Sequence, residues 1–156
     1  MNTAHAQVLD LQLRYAHAVD DDALEQWPGF FTPQGRYRVI PRENHARGLP
    51  ACLIDCQGVA MMQDRVVSLR TANIYNIHFD RHLMSPPLVA PADGDGLVRA
   101  RTQFLVIQSD QAGVSKPFAA GVYLDLVDLR GPQPLFAERT VVLDSYGVQE
   151  LLATPI

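Results

Sequence analysis

The chain has 156 residues, with 13 lysines plus arginines against 17 aspartates plus glutamates, and a net charge of −4. Its 47% hydrophobic and 19% charged content excludes wholesale disorder, and the acidic balance argues against a strongly basic face for gripping nucleic acid. The length suits one domain over residues 1–156, which by area scaling buries roughly 70% of the extended chain's surface without disulfide or metal staples.

Thr3 to Val19 reads as a first helix, capped by Thr3, with Val8, Leu11, Tyr15 and Ala18 on one stripe. Asp20, Asp21 and Asp22 interrupt that stripe. Asp22 with Glu25 resembles a capping box, opening a short second helix that carries Leu24 and Trp27 and ends at Pro28 and Gly29, with Phe30 and Phe31 packed beneath. Gly35 to Pro41 reads as a strand, and Arg42 to Gly58 as loop with room for one helical turn. Val59 to Asn73 predicts a third helix, with Val59, Met62, Val66 and Leu69 on its stripe and Asp64, Arg65 and Arg70 off it. A loop with Pro86, Pro87 and Pro91 follows, ending near Gly94 and Gly96.

Leu97 to Gln108 alternates as a strand: Val98, Ala100, Thr102, Phe104 and Val106 face one way, Arg99, Arg101 and Gln103 the other. After a turn at Ser109 to Gly113, Pro117 to Leu129 predicts a second strand with Phe118, Ala120, Val122, Leu124 and Leu126 on one face, and Gly121 marking a bulge or bend. A turn at Arg130 to Pro134 leads to a third strand, Leu135 to Asp144, with Val141 and Leu143 on one face. Such an antiparallel meander needs one face covered, and the helices supply the cover. The class is α+β.

Lys116 is the only lysine; the other cations are arginines, a bias toward ion pairs and contact surfaces. No window approaches the ~20 apolar residues of a membrane span, and the start lacks a signal peptide's basic end and apolar run. The expectation is a cytoplasmic protein with Cys52 and Cys56 as reduced, buried structural thiols. Their spacing, without a second ligand pair, is not that of a structural zinc site. His78, Asp80 and His82 form the most metal-like cluster, but no later histidine completes an iron triad. On a helix, His78 and His82 would share a face and Asp80 would not; as a polar turn, Asp80 pairs with Arg81 or orients an imidazole. A Gly-x-Ser-x-Gly elbow and a phosphate-binding glycine loop are absent. Tyr15, Asp20 and the histidines are the candidates for acid–base work. Paired charges concentrate in Arg42 to Arg47 and Asp64 to His82, where they suit either a solvated surface or an interface.

Seven strings occur in order: Arg42-Glu43-Asn44, Gly48-Leu49-Pro50, Met61-Met62-Gln63-Asp64-Arg65-Val66, Ala72-Asn73-Ile74-Tyr75-Asn76, His78-Phe79-Asp80-Arg81-His82, Phe136-Ala137-Glu138-Arg139 and Leu151-Leu152-Ala153-Thr154-Pro155-Ile156. Over nearly the whole chain this closely resembles the small (beta) subunit of aromatic-ring-hydroxylating dioxygenases, the Rieske non-haem iron oxygenases. The likeness is to the branch acting on aromatic carboxylates such as benzoate, anthranilate and terephthalate, with a lean toward terephthalate 1,2-dioxygenase.

The resemblance implies a cystatin-like, nuclear-transport-factor-like cone, in which N-terminal helices pack on a curved antiparallel sheet. Scytalone dehydratase and ketosteroid isomerase share that fold. It also implies a hetero-hexamer of three large (alpha) and three small subunits. The large subunit would carry a Rieske 2Fe–2S cluster and a mononuclear Fe(II), a reductase would transiently deliver electrons from NADH, and both atoms of O2 would enter the ring as a cis-diol. No catalytic, cofactor-binding or metal-binding residue is then expected in this chain, and no nucleic-acid or membrane partner. Expected contacts with the large subunit are Arg42, Glu43, Asn44 and Arg47 on the first charged segment. On the second they are Asp64, Arg65, Asn76, His78, Asp80, Arg81 and His82. Two other readings stay open. A stand-alone cone-fold isomerase or dehydratase requires a wet cone with an Asp–His pair in bonding reach. A small-molecule binder requires a roomy apolar pocket. A cone filled by Trp27, Phe30, Phe31 and Phe104 favours the scaffold.

Overall fold

In the computed structural model, which describes residues 3–92 and 96–156, helix α1 (Thr3–Asp20) buries Val8, Leu11, Tyr15 and Ala18 as its spacing predicts, together with Gln12 on the same stripe. The Asp22–Glu25 capping box does not form. The next element is a 3-10 helix, Leu24–Phe30, with Ala23 at its N-cap and no side-chain cap bond. Asp22 adopts a φ of +58°, and both acids are instead claimed by Arg70, whose Nε lies 2.7 Å from Glu25 Oε1 and whose Nη1 lies 2.9 Å from Asp22 Oδ2. Arg70 engages both carboxylates with paired guanidinium bonds, ion pairs that a cap to main-chain N–H groups does not supply. Pro28 stays inside the turn rather than ending it, since a short 3-10 ladder loses little by a missing N–H.

Strand β1 (Phe31–Pro41) begins ahead of Gly35 because Phe31 already pairs with Phe136 before the register shifts toward Arg36. Helix α2 (Arg42–Ala46) is the single turn in the following loop. That loop also holds β2 (Ile54–Gln57), an edge strand antiparallel to β1 that four residues were too short to announce. Helix α3 (Val59–Thr71) stops before Asn73 and buries Met62, Val66 and Leu69, with Val59 only half-buried.

Two further strands replace the expected turn and proline-rich loop: β3 (His78–Met84) and β4 (Leu88–Pro91). Both pair with one edge of β5 (Leu97–Asp110), β3 along residues 104–110 and β4 along residues 98–101. Proline is tolerated there because β4 has no neighbour on its other side. The expected loop end at Gly94 lies outside the described residues.

Strands β5, β6 (Ser115–Asp128) and β7 (Leu135–Leu143) form the predicted meander. The sheet order is β2-β1-β7-β6-β5-β3, and β1 runs parallel to β7. This corrects the wholly antiparallel expectation: β1 and β7 are joined through the rest of the sheet, so no hairpin dictates their direction. Ala120, Val122, Leu124 and Leu126 do share a face of β6, but the buried face is the other one, with Ala119, Gly121, Tyr123, Asp125 and Val127. Phe118 leaves that row where the register slips between Val106 and Ile107 and packs on the core. Gly121 is not a bulge. It admits the β7 backbone, because a Cβ at this position would run into the carbonyl oxygen of Val142.

The helices cover the inner face of the sheet, and aromatic rings fill the space between. Tyr15 meets Phe136 edge-on at 5.7 Å and Trp27 meets Tyr37 at 5.1 Å. Residues 151–156 turn back into this interior, where the Ile156 carbonyl accepts bonds from the hydroxyls of Tyr37 at 2.9 Å and Tyr15 at 3.2 Å. At the centre, Arg139 donates from Nε and Nη2 to the two carboxylate oxygens of Asp125 at 2.9 and 2.8 Å, and both side chains are fully enclosed. The guanidinium lies 4.1–4.3 Å from the ring centres of Phe136, Tyr123 and Tyr15. Gln12 adds a bond to Asp125 at 2.9 Å and another to Thr102 at 2.9 Å. Burial alone would favour a neutral Arg139, but the Asp125 carboxylate outweighs it and moves the pKa upward. Among the described residues no helix is long and apolar enough to cross a membrane.

Two predictions follow from these ion pairs. Asp125→Leu strands the Arg139 charge and should cost about 3–5 kcal/mol, whereas Asp125→Leu with Arg139→Met should cost far less than the two single changes added; urea unfolding of the three variants measures this, and additive costs would refute the coupling. At the surface, bonds from Arg70 hold the Glu25 carboxyl at about 2 against an ordinary 4.5. Because the folded value is depressed, the pair's contribution is complete above the ordinary value and is lost as pH falls toward about 2. Carboxyl titration by NMR should place Glu25 low in the parent chain and near its ordinary value in Arg70→Gln.

Candidate functional site

The His78–His82 string is a strand, so its side chains alternate. His78, Asp80 and His82 turn inward, while Phe79, Arg81 and Leu83 are exposed. Both local expectations, a helical pair and a polar turn, give way because β3 is held by β5. The inward groups share a side without converging. His78 Nδ1 donates to the Asn76 carbonyl at 2.8 Å, and its Nε2 stands 3.9 Å from Asp80. Asp80 accepts from Gln108 Nε2 at 3.1 Å and Thr154 Oγ1 at 3.3 Å. Among the described residues Arg81 reaches only main-chain carbonyls, those of Asp80 at 3.1 Å and Asp20 at 3.2 Å.

His82 belongs to a different partner. Asp20, at the last turn of α1, takes His82 Nδ1 at 2.6 Å and the His82 main-chain N–H at 2.8 Å. A carboxylate only accepts, so Nδ1 carries the proton and a neutral ring leaves Nε2 as an acceptor. That Nε2 is buried and has no partner among the described residues. A cavity of about 250 Å³ alongside is lined by Asp20, Tyr75, His78, Asp80 and Thr154, but not by His82. Tyr15 stands apart from this pair. Its ring packs on Arg139 and its hydroxyl on the Ile156 carbonyl, and burial pushes its pKa up. Burial likewise holds the Tyr123 hydroxyl well above its ordinary value, with no bonding partner among the described residues.

Among the described residues no three His, Cys, Asp or Glu side chains come together as a metal cluster, so the residues present do not fit a mononuclear iron or a Rieske cluster. Cys56 is buried and Cys52 only half-buried, both as free thiols, which makes Cys52 less enclosed than expected. Burial raises both thiol pKa values, which disfavours the thiolate needed for ligation.

The charged segments divide. Arg42 pairs with Asp144 at 2.7 Å and Arg47 with Glu43 at 3.1 Å, all exposed, and Asn44 donates to the Ala51 carbonyl. Asp64, Asn76 and Arg81 are exposed as well. Arg65 instead turns under α3 to bond the carbonyls of Ala153 at 2.9 Å and Leu152 at 3.3 Å. His78, Asp80 and His82 have side chains almost wholly enclosed. The Gln12–Asp125–Arg139 network escaped the sequence reading. Its signal was an arginine inside the apolar strand Leu135 to Asp144, directly after Phe136-Ala137-Glu138.

The family model for the SnoaL-like domain matches residues 2–132. The chain is 41% identical over 151 residues to the anthranilate 1,2-dioxygenase small subunit of Burkholderia cepacia, spanning 96% of this chain and 92% of that one. It is 37% identical over 150 residues to beta subunit 1 of the terminal oxygenase component of terephthalate 1,2-dioxygenase from Comamonas sp, spanning 96% and 97%. Among solved structures, the beta subunit of a candidate aromatic-ring-hydroxylating dioxygenase from Novosphingobium aromaticivorans superposes with a TM-score of 0.89 at 38% identity, covering 98% of this chain and 97% of that one.

Proposed function

The chain belongs to the SnoaL-like domain family and to the small subunits of aromatic-ring dioxygenases, and from that premise we propose that it is the structural subunit of an oxygenase that cis-dihydroxylates an aromatic carboxylate. The relatives are named for anthranilate and terephthalate, and the substrate here is of that class, benzoate included. The chain acts as one domain in a cytoplasmic complex of three large and three small subunits. The large subunit holds the Rieske 2Fe–2S cluster and Fe(II), and a reductase supplies electrons from NADH. Of the residues expected to contact the large subunit, Arg42, Glu43, Arg47, Asp64, Asn76 and Arg81 are the exposed ones.

The filled cone carries this reading. Its interior holds Trp27, Phe30, Phe31, Phe104 and Phe136, the enclosed Arg139–Asp125 pair and Ile156. An interior packed in this way holds a shape rather than a substrate. A second reading, a cone-fold isomerase or dehydratase, draws on the Asp20–His82 pair at 2.6 Å and its unpartnered Nε2. It ranks second because the neighbouring cavity is lined by Asp20 and not by His82.

The test is to co-express the chain with its large subunit and follow oxygen uptake on anthranilate, benzoate and terephthalate with reductase and NADH. A brown hetero-oligomer is expected, and His82→Gln within it should keep the parent turnover. Loss of about 100-fold or more, the scale of a missing general base, would move the function to the dyad. Arg81→Glu should weaken retention of the large subunit, and unchanged assembly would remove that surface from the interface.

A further inference from the structure

Part of the sheet's outer face is apolar too, set among polar groups from β5, β7 and β1. Strand β6, with neighbours on both sides, turns Ala120, Val122, Leu124 and Leu126 outward. The strands at the β5 edge add Leu88 at 71% exposed, Leu83 at 55% and Phe79 at 54%. Strands that are apolar on both sides belong to sheets covered on both sides. The helices of this chain cover one.

Across the outer face runs a groove of about 520 Å³. Leu124 and Leu126 form its floor and Leu88 one wall, and Arg99 and Arg101 flank it from β5. On its far side Arg38 is neutralised by Glu138 at 2.9 Å. Arg99 and Arg101 are exposed, and among the described residues neither side chain has a hydrogen-bond or ion-pair partner. His45 of α2 also lines the groove, and Arg81 sits between Phe79 and Leu83 on β3. The outer face therefore meets one residue of each charged segment, His45 at one edge of the sheet and Arg81 at the other.

We propose that this face is the seat of the large subunit. That subunit presents carboxylates to Arg99 and Arg101 and lays an apolar side chain over Leu124 and Leu126. The proposal rests on the subunit reading above and names the surface it uses. Charge selects the occupant. A second copy facing this one across a two-fold axis would bring both pairs of arginines into one interface with no free carboxylate to meet them, since Glu138 is engaged by Arg38 and Asp125 by Arg139, and that surplus of like charge opposes such docking. An acidic, apolar segment satisfies both the cations and the floor.

The experiment uses the co-expressed complex. Arg99→Glu with Arg101→Glu should weaken binding of the large subunit by about 100-fold or more, the scale of lost central anchors, while the thermal melt of the small chain alone stays unchanged. Arg99→Gln with Arg101→Gln should show a smaller loss. Arg14→Glu, a half-buried change on α1 away from the groove, should bind like the parent. Parent-like retention by the double charge reversal overturns the proposal and leaves the subunit reading intact. A parent chain that never retains its large subunit overturns both. Two other results also overturn it. One is a parent homodimer that Leu88→Arg dissociates while the large subunit stays bound. The other is benzoate binding to the isolated chain that the double reversal abolishes while the complex survives.

Discussion

Arg139 is the side chain on which the interior depends. A guanidinium with no exposed surface must be matched on the spot, because an unpaired charge in an apolar core is prohibitively costly. Asp125 supplies the two bonds, Gln12 braces the carboxylate from α1, and three aromatic rings lie against the guanidinium. One ion pair thus ties α1, β6 and β7 into a single arrangement. It also sets which face of β6 is inner. Asp125 must point at Arg139, so the alternating leucines of β6 point away.

That inversion explains much of what was legible in the sequence and what was not. Helices α1 and α3 and strands β5 to β7 follow from local periodicity, since each carries an apolar row long enough to be read. Strand β6 was legible as a strand, yet its polar-looking row is the buried one, because Asp125 and Gly121 are justified only by Arg139 and by the β7 backbone. Strands β2, β3 and β4 carry no such row. They exist because β1 and β5 offer unpaired edges to segments distant in the chain, and pairing of that kind leaves little local trace.

The candidate site shows the same division. The His78–His82 string stood out by composition, but its meaning depended on phase. As a strand it directs three polar groups inward, where each meets a different partner: Asn76, Gln108 with Thr154, and Asp20. Only the last could have been suspected, since Asp20 was already a candidate beside the histidines. Arg65 shows the converse. It lies off the apolar stripe of α3 and reads as a surface cation, yet it bonds the carbonyls of Leu152 and Ala153, which helps hold residues 151–156 in the interior.

The filled interior and the open outer face are consequences of one another. A cone that keeps a wet pocket can place its polar chemistry inside and leave its outer sheet polar, as a free-standing domain requires. Here the inside is closed by aromatic rings, an ion pair and residues 151–156, and the remaining unmatched features lie outside: an apolar row, exposed leucines on the β5 edge, and two arginines without carboxylates among the described residues. A monomer gains little from such a surface and risks self-association through it. The same surface suits a chain whose work is to be one side of an interface. The relatives are themselves named as subunits, which asks the same of a chain of this family.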